Sequence, residues 1–190
     1  MNSELVDLLY TEFPDLFPDR NIPPSETGGR MRYGLECGDG WFDIIHCFCQ
    51  LTSTKIHRVN RRNAEHSHAL TRFTFRQIKK KFGTLRLYYD LHQPSPGEGE
   101  PERDTLWKLY HMDLEELIRG YQAFACHISG RTCERTGKPG RLLCCGGWYA
   151  TLCPEEAEKE GYREISEADG GNAGWFPIGH ARLSGRNNQS

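Results

Sequence analysis

The stretch Thr71–Leu91, TRFTFRQIKKKFGTLRLYYDL, decides the fold. β-branched and aromatic residues alternate with charged ones on either side of Phe82-Gly83, the pattern of a half-buried antiparallel hairpin. If Lys81-Phe82-Gly83 is a three-residue loop with Gly83 in the left-handed region, residue 79 faces 85, 77 faces 87, 75 faces 89 and 73 faces 91. One face then gathers Phe73, Phe75, Leu85, Leu87, Tyr89 and Leu91. The other gathers Arg72, Thr74, Arg76, Ile78, Lys80, Arg86, Tyr88 and Asp90. A two-residue loop mixes apolar and charged residues on both faces, so the three-residue register is the expected one.

Outward from the hairpin the periodicity turns helical. Leu5, Leu8, Leu9 and Phe13 form a stripe on an expected helix over 3–16. Trp41, Ile44, Ile45, Phe48 and Leu51 form another, starting near Asp39 or Gly40, with Asp39 as N-cap, and running to about Val59. A long helix runs from Leu106 through Leu109, Tyr110, Leu114, Leu117, Ile118, Tyr121 and Phe124 to a stop at Gly130. Arg141–Cys145 and Trp148–Leu152 flank Gly146-Gly147, a tight-hairpin signature. PEEAEKE follows as a short helix between Pro154 and Gly161. HQPSPGEGEPERD, 92–104, is too polar to pack and reads as an exposed loop. These elements give an α+β chain with helices packed on a small antiparallel sheet. It divides into an α+β body over 1–130, a hairpin and short helix over 131–161, and an irregular tail over 162–190, in which Trp175, Phe176 and Ile178 are the candidate anchors.

Composition bounds the function. The 190 residues are 37% hydrophobic and 26% charged, enough for one ordinary domain. No apolar run reaches the roughly 18–20 residues of a membrane span, and the acidic, amphipathic N-terminus does not resemble a secretory signal. The eight Cys are therefore expected as reduced thiols of an intracellular protein. The net charge of −2 hides a strong segregation: Lys55 to Arg86 holds ten Lys or Arg against Glu65 alone, a local +9. A basic surface attracts phosphates or acidic protein faces. Arg72, Arg76, Lys80 and Arg86 beside Tyr88, with Arg61 and Arg62 upstream, are the candidate ligand-binding residues, because cations neutralise phosphates and an aromatic ring stacks on a base.

Three stretches taken in order, YGLECGDGWFDII (33–45), QIKKKFGTLRLYY (77–89) and TCERTGKPG…GGWYATLC (132–153), resemble a family of small uncharacterised proteins of tailed bacteriophages and prophages. The family pattern is C-x-x-C-G-x-P-G, a Gly-Gly-Trp hairpin, then C-x-x-H. The resemblance implies a zinc-ribbon-like C-terminal segment, a phage accessory protein and a host-cytoplasm setting, and it implies no reaction. Thr136 stands where the pattern has its second Cys, and Glu156 stands where it has His.

Structural zinc takes four thiolate or imidazole ligands, so the departures weaken the site. A rebuilt set of Cys126, Cys133, Cys145 and Cys153 would make zinc possible. The competing reading is small buried thiols in a hairpin held by Trp148, Tyr149 and Leu152. Glu36, Asp39 and Asp43 are a candidate divalent-metal cluster for phosphodiester hydrolysis, although a cap explains Asp39 alone. No Cys–His pair carries a family-specific nucleophile signature. The expectation is a non-enzymatic protein that captures an acidic host protein, a nucleotide or a nucleic acid.

Overall fold

The computed structural model describes residues 1–27, 30–65, 69–93 and 101–166, so the expected anchors Trp175, Phe176 and Ile178 lie outside the described residues. Helix α1 (Ser3–Glu12) is capped by the Asn2 side chain, which accepts from the Leu5 amide. It is shorter than expected: Pro14–Leu16 forms a separate 3₁₀ turn that buries Leu16 and Phe17. Val6 and Leu9 face the core, whereas Leu8 faces solvent. A short α2 (Pro24–Thr27) and a 3₁₀ turn at Met31–Tyr33 follow.

A 3₁₀ turn at Asp39–Trp41 leads into α3 (Phe42–Glu65), which buries Ile45, Phe48, Cys49, Thr52, Ile56, Val59 and Asn63. The helix outlasts its apolar pattern because two amides continue the inward face. Asn60 donates to the Thr71 carbonyl (2.9 Å) and accepts from the Thr71 amide (2.8 Å). Buried Asn63 donates to the Ala69 carbonyl. Asp39 is not the cap expected of it. Its carboxylate accepts from the Asn2 backbone at 2.7 Å and the Asn2 side chain at 2.9 Å, tying the start of α1 to the start of α3.

Strands β1 (Arg72–Lys81) and β2 (Thr84–His92) form the hairpin. At the open end Phe73 faces Leu91 and Phe75 faces Tyr89, the expected register. Toward the turn the register shifts between Phe75 and Gln77, so that Ile78 faces Leu87, Lys80 faces Leu85 and Lys81 faces Thr84. Arg76 is the extra residue of a β-bulge, and the connection is the two-residue turn Phe82-Gly83. Two-residue turns of type I′ need positive φ at both positions, and Phe82 (52°) and Gly83 (72°) supply it. The bulge removes the conflict that argued against this turn. It flips the alternation once, so Phe73, Phe75, Ile78, Leu85 and Leu87 all become buried. Phe48 of α3 lies against Phe73, Phe75 and Tyr89, and Phe17 stacks on Phe75 with centroids 4.8 Å apart.

Both edges of this sheet are patched near the turn. On β1, Glu36 bonds in parallel fashion to the Ile78 carbonyl and the Lys80 amide, and the Arg30 amide donates to the Arg76 carbonyl. On β2, the Leu85 amide donates to Ser129 Oγ, and Gln122 donates to the Leu87 carbonyl. Both side chains belong to α4 (Pro101–Ser129), which buries Leu114, Ile118 and Ala125. The helix begins inside the stretch expected as a loop over 92–104. His92 ends β2, and residues 94–100 lie outside the described residues, as do the side chains of Leu106, Leu109 and Tyr110.

After α4 the chain builds a second, smaller core. Strands β3 (Arg141–Cys145) and β4 (Trp148–Leu152) pair around Gly146-Gly147, and α5 (Pro154–Glu160) ends at left-handed Gly161. Cys133, Leu143, Ala150, Leu152, Cys153 and Ala157 form the interior, with Tyr162 packed on it. Trp148 does not hold this hairpin as expected: it is 77% exposed at the turn. The edges are again patched by single residues, Arg163 exchanging two backbone bonds with Cys144 and the Glu134 amide donating to the Thr151 carbonyl.

The chain is thus α+β, its described residues forming helices and two small antiparallel sheets. Among the described residues no helix is long and apolar enough to cross a membrane.

Candidate anion-binding face

The bulge decides which cations face outward. Below Arg76, odd-numbered β1 residues share the solvent side with even-numbered β2 residues, so Gln77 faces Tyr88 and Lys79 faces Arg86, with Lys81 next along. Above it, Arg72 pairs with His92 and Thr74 with Asp90 on the same side. The face therefore carries Arg72, Lys79, Lys81 and Arg86 around Tyr88. Arg72, Arg86 and Tyr88 stand on it as expected, and Lys79 and Lys81 were missed. The missed signal is the apolar spacing itself. Phe73 to Phe75 is two residues but Phe75 to Ile78 is three, and a strand makes that step only through a bulge.

Two expected members of the face are committed to carboxylates. Arg76 gives its guanidinium to Asp19 and Asp90, each at 2.6 Å. Lys80 lies on the inward side and reaches Glu134 at 2.8 Å; that carboxylate is only 1% exposed. A buried carboxylate without its cation is costly, so Lys80 is committed to the contact between body and C-terminal unit. Arg61 and Arg62 lie exposed on the last turns of α3, away from the strand face.

The cations that remain on the face form no ion pair among the described residues. Arg86 donates to Thr84 Oγ1, the Leu85 carbonyl and Cys126 Sγ, none of them a carboxylate. Lys79 Nζ sits 5.2 Å from the centroid of Tyr88, and Lys81 Nζ sits 5.4 Å from that of Phe82, both cation–π distances. Of the acids at the face, Asp90 is held by Arg76, and Glu36 at the β1 edge accepts from the Gln77 side chain. Beside the face, an open groove of ≈ 720 Å³ lies between β2 and α4. Its charges largely cancel, with Arg119 bonded to Glu115.

The acidic stretch ECGDGW turns out to be a docking loop. Glu36 accepts from the Gln77 side chain, Asp39 from Asn2, and Asp43 is exposed on α3. The Asn2 hydrogen bonds hold the Asp39 carboxyl below its ordinary value. The glycines explain themselves by close approach. A Cβ on Gly38 would run into the Glu134 carbonyl, and one on Gly40 into the Cys133 carbonyl and the Gly137 amide. The Gly40 amide donates to the Glu134 carbonyl at 3.0 Å and Trp41 Nε1 to the Thr132 carbonyl at 2.8 Å.

The four thiols that a rebuilt zinc site would need do not gather among the described residues. Cys126 is taken up with Arg86, and Cys145 sits half-buried beside the Gly-Gly turn. Cys133 and Cys153 do meet, with Thr136 Oγ1 3.7 Å from Cys153 Sγ. Burial would raise the Cys133 thiol, but hydrogen bonds from Thr136 and from the Cys153, Arg135 and Thr136 amides outweigh it and hold it below the ordinary value. A hydrogen bond with Glu155 raises Cys153. Glu156 turns to Lys159 at 2.7 Å. Among the described residues no three His, Cys, Asp or Glu come together to hold a metal ion. Two thiols and a hydroxyl do not fit the four-ligand zinc that the resemblance implies.

No family model matches this chain, nor does any curated protein or solved structure.

Proposed function

We propose that this chain is a non-enzymatic binding protein that captures an anionic partner on the outward face of β1–β2. The observation that carries the reading is the sorting of cations by the bulge. Arg76 and Lys80 are matched to carboxylates, while Arg72, Lys79, Lys81 and Arg86 share one strand face around Tyr88 and form no ion pair among the described residues. Arg58, Arg61 and Arg62 are exposed on α3, away from this face, and are not part of it. An open strand face suits an extended polyanion, either the backbone of a nucleic acid or the acidic surface of a host protein, better than it suits an enclosed nucleotide. The setting is that of a phage accessory protein in the host cytoplasm, serving counter-defence or host takeover, and the C-terminal unit is a ribbon-like element that has exchanged two metal ligands for Thr136 and Glu156. Metal-dependent nuclease chemistry draws no support from Glu36, Asp39 and Asp43, because each serves a different contact or faces solvent.

The test is titration of the purified protein with an oligonucleotide and with poly-glutamate over a salt series. Binding should weaken with salt, the log–log slope against the oligonucleotide falling by about one per phosphate contact removed. The double variant Lys79→Glu/Lys81→Glu should weaken capture at least about tenfold at low salt, and Lys138→Glu on the C-terminal unit should leave it unchanged. Equal effects from both variants would remove the face from consideration.

A further inference from the structure

We infer that the polyanion is single-stranded nucleic acid, with unpaired bases stacking on Tyr88 and Phe82; this deepens the proposed capture of an anionic partner and rests on it. The first observation is an aromatic residue where turn chemistry disfavours one. Phe82 has φ of 52° in a two-residue turn whose first position is best filled by Asn, Asp or Gly. A bulky side chain in the left-handed region is strained, and such strain persists where something beyond local stability retains it. Phe82 is not retained as core, being 45% exposed, with an edge-on contact to Tyr149 (centroids 6.5 Å apart) behind it.

The second observation is repetition. Tyr88 is 42% exposed, and each of the two rings has a lysine ammonium beside it, Lys79 at Tyr88 and Lys81 at Phe82. From the Gln77–Tyr88 pair to Lys81 is four residues, a span of roughly 13 Å along the strand. Two ring-and-cation couples so spaced match a chain that alternates flat bases with phosphates, and Arg86 lies between them for a further phosphate. An acidic protein surface would use the cations but would not call for a strained, exposed ring at the turn. A duplex keeps its bases stacked within itself, so the rings select unpaired strands.

The experiment is fluorescence anisotropy with a labelled oligo-dT, an abasic phosphodiester strand of equal length, the corresponding duplex and labelled poly-glutamate. Oligo-dT should bind at least about fivefold tighter than the abasic strand and tighter than the duplex. Phe82→Asn suits the backbone better, so the variant should melt no lower than the parent. It should nevertheless lose about fivefold or more in oligo-dT affinity and keep its affinity for the abasic strand, and Tyr88→Ala should do the same. Equal binding of oligo-dT and abasic strand, or an unchanged affinity in folded Phe82→Asn, overturns stacking and leaves anionic capture standing. Binding of poly-glutamate without oligo-dT likewise overturns the nucleic-acid inference alone. Failure of all four probes overturns both.

Discussion

The two hairpins use the same two-residue connection with opposite means. In β1–β2 the strands are long, the inner face is aromatic, and the turn carries a strained Phe82 before Gly83. In β3–β4 the strands are five residues each, the interior is thiols, alanines and leucines, and Gly146-Gly147 turns without strain. The first hairpin has burial enough to carry an unfavourable turn and a bulge. The second has a small core of its own and leans on the body through Trp41, Gly40, Lys80 and the bond from Thr151 Oγ1 to the Gly83 carbonyl (2.7 Å). The larger aromatic core therefore resides in one hairpin, and dependence on the body resides in the other.

That contrast can be broken most forcefully at Phe75. Phe75→Ala should cost about 3–5 kcal/mol in urea unfolding and take both hairpins down in one transition. A C-terminal unit that keeps its hydrogen-exchange protection in this variant would show it to be independent. Gly40→Ala tests the dependence from the other side. Forcing a methyl against the Cys133 carbonyl should cost about 1–3 kcal/mol and raise exchange at Cys144 and Thr151 while β1 amides stay protected. The smallest effect concerns acid. A hydrogen bond from Arg135 holds the Glu160 carboxyl below its ordinary value. A depressed folded-state pKa stabilises above the unfolded value of about 4.3 and loses that contribution as pH falls through the folded value. Because the pair is partly exposed, the loss should stay under about 1 kcal/mol. Glu160→Gln should flatten the stability difference between neutral and acid pH; an unchanged difference would mean the pair is decorative.

Much of this was legible in sequence wherever one local rule governed. Gly146-Gly147 between apolar runs, and Pro154 with Gly161 around PEEAEKE, fix their elements without outside help. The bulge was written in the three-residue step from Phe75 to Ile78, but a register chosen to sort greasy from charged residues without interruption overrode it. Four strand residues thereby changed sides, Ile78 and Lys80 turning inward and Gln77 and Lys79 outward, while Lys81 passed from the expected loop into the strand. The role of ECGDGW was not legible, because its meaning lies in the backbone of residues 132–137, nearly a hundred positions away. Acids near a helix start read as caps or metal ligands until the surface that Gly38 and Gly40 must touch is known. Lys80 looked like surface charge for the same reason, since its partner Glu134 is buried by a distant segment.

The single-residue patches on the sheet edges have one more implication. Glu36 and Arg30 on β1, Ser129 and Gln122 on β2, Arg163 on β3 and Glu134 on β4 occupy backbone groups that a foreign strand would need. Unguarded edges are templates for self-association and for partners that join by strand addition. With these positions taken, a foreign strand is kept from the patched stretches of both ribbons, which limits zipping onto copies of the chain there.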